Sequence, residues 1–598
     1  MLRCRFLLRP LALFVVGVAL LSAATAGGTP QATPDMVFPD DAGWCNVKTA
    51  VGAKGDGTTD DTAALNEALK DGPHGRNTYL PAGTYVVSDT LLCGANKWKQ
   101  RMVQGQSRDK TIIKLKDNSP GFGDASRPKP VLEFFPGGST GQSFNQCAFD
   151  VCIDVGKGNP GAVGVHWLTN NYGTLQNLKL IGDGHTGISM TTNWPGPGLI
   201  TNIIIKGFDY GIYSTVNQYG ITLEHLYFEG QKKAGISNKG QKLFIRDYND
   251  KGTGAPAMQL KGGLVTLIDA NLSGSGATAI DCDGPMFARN ITTSGFTNAI
   301  DQKGSNERTV VGPKIDEFVS HELKPAHSNA YKSLNLPIED TPDVSMDPPA
   351  QWAKAGAGSA GLQAAIDSGK TTVYIPAGGF TIDAPVILRG NVRRIFCNSA
   401  RIKFKTGNKP AFIFNDVGGA DTVVFERFVQ EYGSDSKFAF EHTSAKRTLV
   451  IRHGLGSIHM NGAGKLFVED VCTGVNVFDQ GHIWARQLNP ECQEPNIVNN
   501  GADFWMLGLK IEKGNVSLIN NGAKARSEIL GAYILQNRGA KAEQNWINKG
   551  GSLSVSWANG GGLHSVQVED TQKGQTTKIG PKDCPNGGWA VPLYVSTP

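Results

Sequence analysis

Two glutamates in this chain sit at a spacing that suggests chemistry. Glu491 closes "WARQLNPE" (Trp484–Glu491) and Glu512 closes "WMLGLKIE" (Trp505–Glu512), so that Trp484 answers Trp505, Leu488 answers Leu509 and Glu491 answers Glu512 at a step of 21 residues. If that step is one turn of a repeating fold, the carboxyls occupy equivalent places on adjacent strands, about 4.8 Å apart. Like charges that close repel, and at least one glutamate is expected to hold its proton more tightly than a free side chain. A carboxylic acid still protonated near neutral pH is what a glycosidase uses to protonate a leaving oxygen. A neighbouring cation (Arg486, Lys510 or Lys513) offers the opposite outcome, neutralising the pair with no catalysis implied. The repeated Trp and Leu are read as an internal ladder, with Trp505 kept as a candidate for a sugar-binding face.

The elements that would position such a pair are visible as a duplication. "YLPAGTYVVSDTLL" (Tyr79–Leu92) returns as "YIPAGGFTIDAPVIL" (Tyr374–Leu388), with Pro81 matching Pro376 at an offset of 295 residues. Each copy follows a short amphipathic helix, one with Ala64, Leu65, Ala68 and Leu69 on its apolar face, the other with Leu362, Ala365 and Ile366. Within the first copy, small-apolar pairs recur at Gly187-Ile188, Gly211-Ile212, Gly235-Ile236, Ala257-Met258, Ala279-Ile280 and Ala299-Ile300, in steps of 24, 24, 22, 22 and 20 residues. A period in the low twenties, rich in β-branched residues, predicts an all-β chain of two tandem parallel β-helices with short capping helices. A β-propeller would need antiparallel hairpins and a more regular repeat. The expected organisation is an N-terminal β-helix over 40–324, a Pro-rich linker over 325–349 and a C-terminal β-helix over 350–598.

Composition narrows the function classes. The 598 residues carry a net charge of +5 with no basic block, which gives nucleic-acid binding no support. Arg3, Arg5 and Arg9 precede an apolar run from Leu11 to Leu21 and a small-residue site at Ala24–Ala26, predicting a secretory signal over 1–26 and an extracellular or periplasmic protein; an uncleaved anchor is the other reading. No later run is long enough to span a membrane. Of ten cysteines, Cys4 leaves with the signal, and the rest are read as a few optional disulfides, Cys147 with Cys152 for one, and buried thiols. The Asp60-Asp61 pair is read as a helix cap rather than an acid/base pair. His166, His225, His453 and His482 show no ligand spacing. No metal or cofactor is expected, and the chain is expected to be monomeric.

"GDGTTDDTAALNEAL" followed by "YLPAGTYVV" resembles the opening of the pectate-lyase-like β-helix superfamily. The duplication, the linker "SLNLPIEDTPDVSMDPPAQW" and above all "IWARQLNPE" with "FWMLGLKIE" resemble glycoside hydrolase family 55. That resemblance covers essentially the whole mature chain. It implies two right-handed β-helices with a cleft between them and an exo-acting β-1,3-glucanase that inverts the anomeric carbon. It further implies Glu512 as general acid and Glu491 as its partner. An inverting acid and base stand roughly 6.5–9.5 Å apart, so a stacked Glu491 is assigned to tuning Glu512 while the other helix holds the water. The sequence departs from the family in its N-terminal half. Where members carry "WQxxQ", this chain reads "HWLTNN", keeping Trp167 but placing Leu168 and Asn171 at the glutamine positions; where they carry "GNQQ", it reads "VNQY", keeping Asn217 and Gln218. Trp167, Asn171, Asn217 and Trp505 are therefore the substrate-binding candidates and Gln218 the water-positioning one.

The expected function is a secreted glycoside hydrolase acting on β-1,3-glucan or a related polysaccharide. Two other readings stand beside it. A polysaccharide lyase or polygalacturonase on the same fold would want carboxylates with an Arg or Lys base, or clustered aspartates with Gly-His-Gly; the chain offers only the isolated Arg401-Ile402-Lys403 and Gly481-His482. A non-catalytic carbohydrate-binding solenoid would retain the glutamates as remnants.

Overall fold

The computed structural model describes residues 34–598 except 71–75, 95–99, 135–139, 218, 253, 328–330, 432, 492–494 and 537–541. The signal segment and Gln218 lie outside the described residues. The chain forms two tandem right-handed parallel β-helices. Strands from Cys45–Asn46 to Lys314–Val319 build the first, and strands from Ala353–Lys354 to Ala590–Ser596 build the second.

The small-apolar repeat is the inward ladder of the first helix. Ile188, Ile212, Ile236, Met258, Ile280 and Ile300 pair in register from coil to coil, and each is fully buried. The helices Thr62–Leu69 and Gly358–Ile366 bury Leu65, Ala68 and Leu69, and Leu362, Ala365 and Ile366, over the first coils. Asp60 accepts from the Thr62 amide at 3.1 Å, as a capping carboxylate does. Asp61 instead accepts from the Lys54 and Gly55 amides at 2.7 and 2.8 Å, bracing the preceding loop. At the far ends the parallel order stops: Lys314–Val319 runs antiparallel to Met286–Gln302, and Ala590–Ser596 to Ser552–Gly560. Such strands cover backbone groups that an open stack would leave as a template for another chain.

The coils bend at residues in the left-handed region. In the N-terminal helix the bend falls at Asp150, Asn177, Asn202, His225, Asp247, Asp269 and Asn290, with φ between 52° and 57°. Asn, Asp and His tolerate this conformation best among non-glycine residues. Their side chains bond along the stack, Asn202 to Asn177 at 2.7 Å and Asn177 to Asp150 at 2.8 Å. In the C-terminal helix the bend falls at Arg427, His453, Asp470, Gln487, Gly508 and Gly531.

That second row of bends meets the N-terminal helix along a strip formed by Thr174, Leu199, Thr222, Phe244, Thr266 and Phe287, which are paired in register. Thr222 donates to Gln487 Oε1 at 3.0 Å. A Cβ on Gly508 would stand 1.8 Å from Thr222 Oγ1, and one on Gly531 would stand 2.1 Å from the Phe244 ring. Glycine is therefore required at both bends by the close approach and by φ of +81° and +93°. The Pro-rich segment is packed into one side of this seam. Its Leu336 and Val344 join Phe244, Ile268, Phe287, Trp484 and Trp505 in a core between the helices, and the Trp484 indole donates to Pro337 O at 2.9 Å.

The tryptophans thus depart from the expected internal ladder. Leu488 and Leu509 do lie inside the C-terminal coils, but Trp484 and Trp505 lie outside them, in the seam. The bend explains the split: before Gln487 the inward residues are Ile483 and Ala485, after it the inward residue is Leu488, so Trp484 and Leu488 face opposite ways although alternation alone would put them on one face. The eight described cysteines, Cys147 and Cys152 among them, are buried free thiols.

Replacing Gly531 with Ala is expected to cost about 2–4 kcal/mol, from overpacking and backbone strain together. Adding Phe244→Ala should make the double variant lose less than the sum of the single losses by about 1–3 kcal/mol. Denaturant unfolding of the three variants checks this; simple additivity would place the two residues out of contact.

Candidate active site

The bend decides which way each side chain of the C-terminal strands looks. Residues before it face the linker side of the seam: Trp484 touches Pro337, and Arg486 donates to Glu339 O and to Glu224 at 2.6 and 3.0 Å. Residues after it, Asn489 and Glu491 on one coil and Lys510 and Glu512 on the next, face the other side. The ladder Trp484–Trp505 and Leu488–Leu509 is in register, which brings the two glutamates to neighbouring places.

They do not meet as bare like charges. Lys510 Nζ lies between them, bonded to Glu491 Oε1 at 2.8 Å and in close contact with Glu512 Oε1. The Lys510 side chain is 1% exposed, whereas Glu491 and Glu512 are 20% and 16% exposed, so the cation is the inner member and the carboxylates form the lip. Burial pushes the Glu491 carboxyl up, but Lys510, Asn489 and Lys513 outweigh it and hold it below the ordinary glutamate value. Lys510 itself loses by burial and gains more from the two glutamates, so its ammonium is held above the usual lysine value. The expected retention of a proton through repulsion is thereby corrected for Glu491. The Coulomb attraction of a buried ammonium replaces the repulsion, as the sequence reading of Lys510 as a neutralising cation allowed.

The N-terminal helix supplies the facing wall. Tyr219 lies with its ring centroid 5.7 Å from Lys510 Nζ and packs edge-on against Tyr533 at 5.6 Å. Lys242 Nζ sits 5.0 Å from the Tyr533 ring centroid and donates to Asn217 Oδ1 at 2.8 Å; burial lowers its ammonium to about 8. Asn171 enters by its backbone, its carbonyl accepting from Asn489 Nδ2 at 2.9 Å, and the same amide donates to Glu491 Oε1 at 3.1 Å.

Behind this wall, Asp470 fixes the loop that carries Asn171. Its carboxyl accepts from the Gly173 amide at 2.9 and 3.1 Å and from Thr174 Oγ1 at 2.7 Å. It is fully buried, and burial outweighs those bonds and raises it to about 8.

Two of the expected substrate contacts offer no face for a sugar. Trp167 is fully buried in the N-terminal core, its indole donating to Gln146 O at 3.0 Å. Trp505 is 1% exposed and lies 5.1 Å beneath the Arg486 guanidinium. Asn217 is exposed.

Residues 44–259 match the family model described as rhamnogalacturonase A/epimerase, pectate lyase-like. A probable glucan endo-1,3-beta-glucosidase of Arthroderma benhamiae is 24% identical over 394 residues, 56% of this chain, and the chain spans 43% of that relative's length. A non-secreted LysM effector, LysM15 of Penicillium expansum, is 30% identical over 214 residues, covering 32% of this chain and 14% of the relative. Among solved structures, sacteLam55A from Streptomyces sp. SirexAA-E aligns over 95% of this chain and 100% of its own, at 14% identity and a TM-score of 0.48.

The linker side of the seam holds a second set of charges. Glu224, His225 and Asp340 bring ligand atoms within 4.8 Å of one another. Arg246 already bonds Glu224 at 2.5 Å and Asp340 at 2.6 Å, and Arg486 adds a second guanidinium on Glu224. Burial raises the Glu224 carboxyl, but Arg486, His225 and Arg246 hold it far below the usual range. A cation would have to displace two guanidiniums, so the set does not fit a metal. A cavity of about 380 Å³ lies on this side too, lined by Asp269, Arg289, Asn290, Glu317 and Ser333 among others and by none of the residues around Glu512. Among the described residues, no helix is long and apolar enough to cross a membrane.

Tyr219, Lys242, Asn489, Tyr533 and Asp470 escaped the sequence reading. The equivalence of Asp470 to Gln487 was open to it through the pairing of neighbouring coils. The approach of Tyr219 to Lys510 depends on how two solenoids dock, for which a single coil period carries no signal.

Substituting Met for Lys510 should remove the ammonium that the two carboxylates share and cost up to about 3–5 kcal/mol, less any relief from their partial exposure. Because Glu491 is held low in the folded protein, the stability that Lys510 confers through it is present above the unfolded glutamate value and fades as pH falls through the folded one. Denaturation midpoints of both proteins should therefore converge towards acid pH. The sign is opposite for Asp470, whose carboxyl is raised from 3.8 to about 8. Its contribution is complete below the unfolded value and lost as pH rises through about 8. Asp470→Asn should flatten the decline in melting temperature from mildly acidic to mildly alkaline pH. Asp250, raised to about 7 by burial, should leave a residual slope of the same sign.

Proposed function

We propose that this protein is a secreted glycoside hydrolase that cleaves β-1,3-glucan or a closely related polysaccharide, exo-acting and with inversion. The observation that carries the reading is the Glu491–Lys510–Glu512 group at the lip of the seam, faced by Tyr219 of the other β-helix. Glu512 is the general acid that protonates the leaving oxygen. Glu491, ionised and fixed by Asn489 and Lys510, orients Lys510 and sets the field at Glu512. Two carboxylates that share one ammonium stand closer than the roughly 6.5–9.5 Å of an inverting acid and base. The attacking water is accordingly assigned to the N-terminal side, with Gln218 as the water-positioning candidate. The resemblance to glycoside hydrolase family 55 and the partial similarity to a probable glucan endo-1,3-beta-glucosidase support the same substrate class.

A second reading rests on the same group. An ion triad that locks two glutamates would equally serve a carbohydrate-binding solenoid without turnover. Glu512→Gln separates the two. The hydrolase reading expects release of sugar from laminarin to fall by at least about 100-fold, as loss of a general acid does, with an unchanged melting temperature. Glucan binding without sugar release in the parent protein, unaltered by the substitution, would favour the binding solenoid. Turnover equal to the parent would end the assignment of Glu512.

A further inference from the structure

Trp194 is the feature of the groove wall that the hydrolytic chemistry leaves unused. The residue is 47% exposed, and its backbone lies in the left-handed region at φ +64°, a conformation that bulky residues rarely adopt. An exposed indole gains little by burial, and no ring of the described residues stacks on it. Backbone strain kept without a packing reward points to use rather than to folding.

Its loop is firmly built at both ends. The Gly196 amide donates to Thr169 O at 2.8 Å, the buried Gln241 side chain donates to Pro195 O at 3.1 Å, and Thr192 Oγ1 meets His166 Nε2 at 3.1 Å. The loop also has a definite place in the stack. Thr174, Leu199 and Thr222 are paired in register, so the turns preceding them are stacked neighbours. Trp194 lies in the middle one. The turn on one side carries Asn171, bonded to the Glu491 neighbour Asn489, and the turn on the other carries Asn217, bonded to Lys242, and Tyr219, whose ring faces Lys510.

We propose that Trp194 is a stacking platform for a pyranose ring of a neutral β-linked gluco-oligosaccharide, one or more units away from the bond cut at Glu512. An indole offers a broad apolar face that suits the C–H face of a sugar while its N–H stays wet, and a site with a few placed polar groups and an aromatic wall is how such ligands are oriented. The inference rests on the hydrolase reading for its choice of ligand.

The test is calorimetric binding of laminarihexaose to Glu512→Gln, in which turnover is blocked, with and without Trp194→Gly or Trp194→Phe. Trp194→Gly is expected to weaken binding by about 10-fold, a loss the size of one aromatic contact. It should not lower the melting temperature, since glycine relieves the left-handed backbone. Trp194→Phe should keep part of the affinity. Equal affinity for Glu512→Gln with and without Trp194→Gly would overturn the platform and leave the hydrolase reading standing. Weakened binding accompanied by a lowered melting temperature in both Trp194 variants would also overturn it. No binding of laminarihexaose by Glu512→Gln, with no hydrolysis of laminarin by the parent protein, would take the hydrolase reading and the platform down together.

Discussion

The left-handed bend in each C-terminal coil is the constraint on which the rest of the structure depends. It turns the strand so that Trp484 and Arg486 look into the linker-filled side of the seam while Asn489 and Glu491 look out of the other. Repeating the bend on the next coil does the same for Trp505 and Lys510. The bend is also the contact itself, because Gly508 and Gly531 let the backbone approach Thr222 and Phe244 within the space of a single Cβ. One backbone conformation therefore sets both how the helices dock and where the glutamates emerge.

Electrostatics follows from that docking. Closing the seam buries charge, and the structure compensates it by pairing across the helices: Arg486 with Glu224, and Arg289 with Glu528 at 2.9 Å. Buried pairs of this kind return little net stability beyond their desolvation cost, but an unmatched member is strongly unfavourable. Lys510 is the same solution at the rim, where one ammonium serves two carboxylates. At Asp470 the problem is met differently: burial raises its carboxyl to about 8, and it accepts from the backbone and hydroxyl donors of the N-terminal loop.

Much of the fold was legible because a solenoid writes its period into the sequence. Ile188, Ile212, Ile236 and Met258 stack as their spacing implies, and the two Leu-rich helices cap the coils. The glutamate step was legible for the same reason. Which side of a strand faces the coil interior was not. The tryptophans of the "WARQ" and "WMLG" segments were assigned to the interior by their repetition alone, whereas a repeat spacing is equally satisfied by an outer row that a second domain covers. Trp167 was misplaced by a related limit, since a motif position says nothing of burial. The facing wall of Tyr219, Lys242 and Tyr533 is a property of docking, and no single-coil pattern encodes it.

The proposed chemistry joins these levels: a bend that aims two carboxylates outward, an ammonium that fixes them, and a second helix that supplies the wall on which a sugar and a water would sit. Its most direct test is the anomeric configuration of the first product released from laminarin by the unmodified protein, followed by proton NMR before mutarotation sets in. The account predicts α-glucose as the initial product, the outcome of single displacement at a β-linkage. Initial β-glucose, an unsaturated uronate-type product from acidic polymers in its place, or no release of sugar at all would contradict it.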